Sequence, residues 1–252
     1  MPTPTEEPAP TTEIQPIEVP TEGAVVALPL HVLARIGEPG QEVRATLHWD
    51  DGTELSETFT TLAHPEGGGL LVDSLDWTME GQPPQPETQS ATLILSDPAG
   101  ETLAERDVTV LDIDDAEVQL IDLYWILGEN LESEQRPVVT RDDLAATALE
   151  ELLWGPPPRN LAGFATALPI PQEVLDYPGR QPDWGVRVTL RGLTIEDGVA
   201  TADFSQEMQA YGGGSTRVQT IREQITRTLM QFPDVNEVRM AIEGETEGIL
   251  QP

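Results

Sequence analysis

The sequence predicts two domains behind a Pro/Thr/Glu-rich segment: an all-β sandwich over 24–113, then an α/β sandwich over 114–252 with helices packed on one face of a mixed sheet. Three observations point there. Short period-two runs separated by turn residues fill 24–112. Beyond 114, helical stripes over 142–154 and 215–231 interrupt the strand patterns. And 252 residues give room for two bodies, each large enough to bury its own core.

Residues 1–23 contain six prolines among Thr and Glu, a composition that buries too little to offset chain entropy, so this stretch is expected to be a disordered tether. Val43, Ala45, Leu47 and Trp49 then alternate with Arg44, Thr46 and His48, which predicts a strand over 41–49 with one wet face. Asp50-Asp51-Gly52 supplies a tight turn, and further strands follow near 53–62, 70–77, 91–96 and 101–111. In the second part, 117–127 reads as an apolar strand. Thr140 and Asp142 are candidate N-caps for the helix over 142–154, which Gly155 and the prolines after it stop. Strands are predicted at 186–191, from near Leu193 to a hairpin turn at Asp197-Gly198, and at 199–205 and 235–242. The last helix starts at Ser215 as N-cap and presents Val218, Ile221, Ile225, Leu229 and Phe232 as one apolar stripe.

Composition removes whole classes of chemistry. The net charge is −32, spread as −5, −14 and −13 over 1–23, 24–114 and 115–252, so phosphate backbones and anionic membrane surfaces are repelled. All thirteen basic residues are Arg; without Lys there is neither a Schiff base nor a phosphate-loop lysine. Without Cys there is no disulfide, thiolate nucleophile or cysteine metal site. The start has no basic n-region or apolar h-region, and no run of about 18 apolar residues occurs, so neither a signal peptide nor a membrane span is expected within the chain. No cofactor is expected.

Separated motifs nevertheless share one lineage. Gly198-Val199-Ala200 with Asp203-Phe204-Ser205, Gly213-Gly214-Ser215 opening a helix, and Thr228-Leu229 with Phe232-Pro233, Val235 and Val238 stand in order. Leu149, Leu152, Leu153, Gly155, Pro156 and Ala167–Pro169 precede them; Gly244 and Leu250–Pro252 follow. This constellation resembles the GerMN (sporulation and spore germination) domain, and only 175–192 is longer than that pattern. Leu30, Val32, Ala34 and the Asp51-Gly52 turn resemble the immunoglobulin-like domain of bacterial spore germination. The resemblance implies a non-catalytic, extracytoplasmic envelope protein. It would be tethered as a lipoprotein through an anchor upstream of these residues and would work by packing against envelope proteins. A module binding cell-wall glycan or peptide is the alternative, with Trp77, Trp125, Trp154 and Trp184 as candidate platforms; a hydrolase using acids such as Asp203 and Glu207 is a third reading.

Two features stand out as candidate interaction sites. The last helix carries Arg217, Thr220, Arg222, Gln224 and Arg227 away from its stripe, a face suited to an acidic partner surface. Self-neutralisation by neighbouring carboxylates is the plainer reading of it. The loop Tyr211, Gly212, Gly213, Gly214 and Ser215 could cradle an anion at the helix start or simply swing the chain into the helix, with Tyr211 stapling the first turn. Asp112, Asp114, Asp115 and Glu117 cluster at the domain junction without EF-hand spacing. His31, His48 and His64 show no zinc-ligand spacing and read as surface or strand-face residues.

Overall fold

The computed structural model describes residues 16–77, 85–156 and 163–251. Their regular structure is mostly β-sheet, with few helices, and they bury two separate hydrophobic clusters. The first cluster lies between two sheets. One has the order β1-β3-β7-β6, from Ile17–Val19, Leu30–Arg35, Gly69–Leu75 and Leu62–Ala63. The other has the order β2-β9-β8-β4-β5, from Ala24–Val26, Thr102–Val110, Gln89–Ser96, Glu42–Trp49 and Glu54–Thr60. The alternation read from 41–49 is the burial observed: Val43, Ala45, Leu47 and Trp49 are fully enclosed, each large side chain contributing about 1.5–3 kcal/mol. Gly52 closes the β4–β5 turn at positive φ, and the Asp51 side chain accepts the Thr53 N–H. Gly69 is required for a different reason: a Cβ there would meet the Ile36 carbonyl oxygen at 2.4 Å.

The tether expected over 1–23 does not hold for its last residues. Residues 1–15 lie outside the described residues, but β1 pairs with β3 and Ile17 is buried. Buried Arg106 fixes this segment by donating to the Ile17 carbonyl at 2.7 Å and to Glu22 at 2.9 Å. Average composition hid two apolar residues and one distant guanidinium that together order the stretch.

The second cluster is built from β10 (Val118–Leu127), β11 (Asn130–Val139), α1 (Leu144–Trp154), α2 (Pro171–Asp176), β12 (Leu190–Glu196), β13 (Val199–Phe204), α3 (Gly214–Leu229) and β14 (Glu237–Ile242). β10 and β11 form a hairpin; β12, β13 and β14 form a separate sheet in that order, with β14 parallel to β13. Several local expectations need correction. β11 was not predicted, because its wet, charged run NLESEQRPVV lacks apolar alternation and survives only as the partner of β10. The two strands expected at 186–191 and from near Leu193 are one strand, β12, from Leu190 to Glu196; Val188 is buried, but Ser205 meets Thr189 at the end of β13 and the ladder stops there. The cap of α1 is Asp143 rather than Thr140 or Asp142: its carboxylate accepts the Ala146 N–H at 2.9 Å, a cap worth about 1 kcal/mol. The cap of α3 is Gly213, in the left-handed region at φ +101°, so Ser215 sits inside the helix.

Candidate functional site

Helix α3 was expected to face outward with its polar residues; much of that face is instead the seam of the second body. In a two-residue hairpin the residues flanking the turn, Leu127 and Asn130, form the hydrogen-bonded pair, so alternation turns the backbone of Asp122, Tyr124 and Ile126 away from β11. Gln231 receives the Asp122 N–H at 2.9 Å and donates to the Asp122 carbonyl at 2.8 Å. Gln224 donates to the Tyr124 carbonyl at 2.8 Å and accepts the Ala167 N–H at 2.7 Å, while Ile126 and Ala165 exchange backbone bonds. Two side-chain amides thus do for β10 what a neighbouring strand would, and Gln224 is wholly buried doing so.

The five residues proposed as one partner face do not share it. At about 100° per residue, Arg222 falls on the opposite flank of the apolar stripe from Gln224. Arg217 is turned inward: its guanidinium clasps Glu173 in a two-pronged pair at 2.7 and 2.6 Å, and its Nε donates to the Ala167 carbonyl at 2.8 Å. Burial pushes the Glu173 carboxyl up, but Arg217 and the Ile170 N–H outweigh it and hold it below the usual carboxylate range. Arg227 pairs with Glu223 one turn earlier and lies 5.8 Å from the Tyr124 ring centre. Thr220 donates back to the Thr216 carbonyl, and Arg222 reaches the Ile249 carbonyl.

A cluster that sequence spacing could not reveal lies where the two bodies meet. His31 of β3 has Nδ1 at 2.7 Å from Ser74 Oγ of β7 and Nε2 at 2.9 Å from Glu151 Oε2 of α1. An ionised carboxylate only accepts, so Nε2 carries the proton toward Glu151, and in the neutral ring Nδ1 accepts the Ser74 hydroxyl. His31 is thus a strand-face residue of β3, largely covered by the second body rather than free on the surface. Trp154 stacks on its ring at 4.4 Å with the planes 3° apart, and Arg187 lies 4.0 Å from the centre of the Trp154 ring. Burial raises the Glu151 carboxyl; His31 and Arg136 overcome that and hold it below its ordinary value. Arg136, 2% exposed, lies within 3.5 Å of Glu151 and 3.3 Å of Glu134 and donates to the Gly155 carbonyl. Beside this cluster opens a cleft of about 270 Å³, lined by residues from both bodies, among them Pro20, Val25, His31, Val139, Arg141 and Trp154.

The second body is also where similarity to known proteins falls. The family model for sporulation and spore germination, Germane, matches residues 122–248, from within β10 to beyond β14. The chain belongs to the Germane family. It is similar to the first GerMN domain of the sporulation protein GerM from Bacillus subtilis, at 26% identity over 51% of this chain and 85% of that one, with a TM-score of 0.39. The tandem GerMN domains of the same protein give 25% identity over 51% of this chain and 40% of that one, with a TM-score of 0.40. A candidate lipoprotein from Clostridium perfringens gives 21% identity over 51% and 76%, with a TM-score of 0.32. No curated protein matches.

Within the Germane domain the glycine loop borders a hollow of about 470 Å³ that also includes Tyr177, Gln209 and the 248–251 tail. Tyr211 packs partly buried against the second core, and its hydroxyl donates to the Gln251 carbonyl at 2.8 Å. Asp203 and Glu207, the acids considered for hydrolysis, are taken up in structure. Asp203 pairs with Arg191 at 2.9 Å and accepts the Gly244 N–H, while buried Glu207 accepts the Gly185 N–H. The tryptophans form no exposed platform: Trp125 and Trp184 are buried, Trp77 packs edge-on against Trp49, and Trp154 is covered by His31 and Arg187. At the junction, Asp112 and Asp115 are used in turns, accepting the Asp114 and Glu117 N–H groups. No metal-competent group occurs among the described residues, and no described helix is long and apolar enough to cross a membrane.

Proposed function

We propose that this protein is a non-catalytic envelope module that works by binding other proteins. In this reading an immunoglobulin-like sandwich is joined to a GerMN-type α/β sandwich and held outside the membrane by an upstream anchor. One observation carries the non-catalytic reading. Ser74, His31 and Glu151 are the constellation that nucleophilic chemistry would use; here Ser74 holds His31 within the first sandwich while Glu151 and Trp154 fix His31 to the second body. The Ser74 residue is only 6% exposed, the His31 ring is covered by Trp154, and the Glu151 carboxylate is shared with Arg136. Two sheets over one core support the first assignment, and α1 and α3 packed in one cluster with β12, β13 and β14 support the second. Membership of the Germane family supports an envelope role. Photo-cross-linking from exposed positions of the Germane domain in envelope fractions tests the reading. Adducts to other envelope proteins, without turnover of ester, peptide or glycan substrates, are expected; turnover that disappears in Ser74→Ala would overturn it.

A further inference from the structure

Most strand edges of the Germane domain are occupied or guarded. The free side of β10 is taken by Gln224, Gln231 and Ala165. β11 carries Pro137 at a position whose backbone points outward, a residue that cannot donate to an added strand. β14 is buried at its 240–242 end, where Ile242 and Glu245 exchange backbone bonds. In the first body, edge strand β5 turns Glu57 inward, a charge that discourages pairing.

β12 is irregular only between Leu190 and Gly192, where its register shifts, and carries none of these protections from Leu193 to Glu196. Among the described residues it pairs with β13 alone, and Arg191, Gly192, Thr194, Ile195 and Glu196 are exposed. Asp197 and Gly198, at φ +50° and +82°, form the two-residue turn that pairs Glu196 with Val199. Alternation from that pair turns the backbone groups of Thr194 and Glu196 toward β13 and those of Leu193 and Ile195 outward. Ile195, 39% exposed, leaves an apolar side chain beside this open edge.

We propose that β12 receives an extended basic segment of a partner protein as a fourth strand of the β12-β13-β14 sheet. The proposal rests on the protein-binding reading above and names its surface and partner class. Charge selects the partner. A second copy would bring together two chains of net charge −32, which repel. On the edge strand itself, Arg191 is neutralised by Asp203 at 2.9 Å and Glu243 at 3.3 Å. Glu196 and Asp197 have no basic partner among the described ion pairs, so the rim is negative. Side chains of an added strand alternate between faces, so one face meets Leu193 and Ile195 and the other meets solvent and acid. The fitting segment therefore alternates apolar and basic residues.

The test uses the full chain and a fluorescein-labelled octapeptide alternating Val and Lys, with a Val/Glu octapeptide as counterpart. The Val/Lys peptide should bind in fluorescence anisotropy, more tightly at low salt, and should slow amide exchange at Leu193 and Ile195. The Val/Glu peptide should bind at least ~10-fold more weakly. Ile195→Pro removes an outward N–H but no bond to β13, so it should keep its circular dichroism and lose at least ~10-fold in affinity. Ile195→Lys, which leaves the backbone intact, should weaken the Val/Lys peptide as well. Absence of binding, equal binding by wild type and both variants, or exchange protection away from β12 would each overturn the proposal. Cross-linked envelope adducts combined with any of those outcomes would leave the protein-binding reading standing, whereas absence of adducts would remove that reading itself.

Discussion

Replacing Gln224 by Leu tests whether α3 is held by amides that imitate a strand. The change keeps the side chain's bulk and apolar packing, so cavity effects are small. It leaves the Tyr124 carbonyl and the Ala167 N–H, bonded at 2.8 and 2.7 Å, without partners in a site closed to water. Each buried group left unpaired costs about 1–3 kcal/mol, so a loss of about 2–6 kcal/mol is expected. Against a typical total of about 5–15 kcal/mol, that is a large fraction. Urea unfolding followed by tryptophan fluorescence measures it, and amide exchange at Ala167 should accelerate in step. A loss below about 0.5 kcal/mol would mean that β10 does not depend on this amide, and the seam would need another explanation.

Asp73 gives a pH prediction: burial pushes its carboxyl up to about 6, against a partial opposing effect of the Ser74 N–H. The folded chain then holds this proton more tightly than the unfolded one, so the stabilisation is complete below the ordinary carboxylate value and fades as pH rises through 6. The gap corresponds to about 3 kcal/mol; Asp73→Asn should flatten the urea midpoint between pH 4 and 7. A midpoint that still falls over that range in the variant would assign the dependence elsewhere. Arg217→Gln should destabilise by about 1–3 kcal/mol through loss of the Glu173 clasp, and a variant of unchanged stability would return Arg217 to the surface. Because Arg217 holds the Glu173 carboxyl below its usual range, that contribution is present above the ordinary carboxylate value and is lost as pH falls through the lowered one.

What was legible in the sequence was what repeats at short range. The alternation of 41–49 and the stripe Val218, Ile221, Ile225 and Leu229 gave a strand and a helix within two residues of their ends. Polar positions beside that stripe were misread, because burial of Gln224 depends on a strand 100 residues away, which no helical wheel contains. The same limit hid the joint: His31 meets Ser74 across 43 residues and Glu151 across 120, and each looks ordinary in its own segment. β11 was missed because its neighbour supplies its order, whereas Ile17 and Val19 were masked by the prolines around them.

His31, seated on Ser74 and held by Glu151 and the stacked Trp154, is a structural joint between the two bodies. Nitrogen-15 relaxation of the full chain measures it most directly. A single rotational correlation time for both bodies is expected in the wild type, separating into two when His31→Ala and Trp154→Ala are combined. Two correlation times in the wild type, or one that persists in the double variant, would contradict the account.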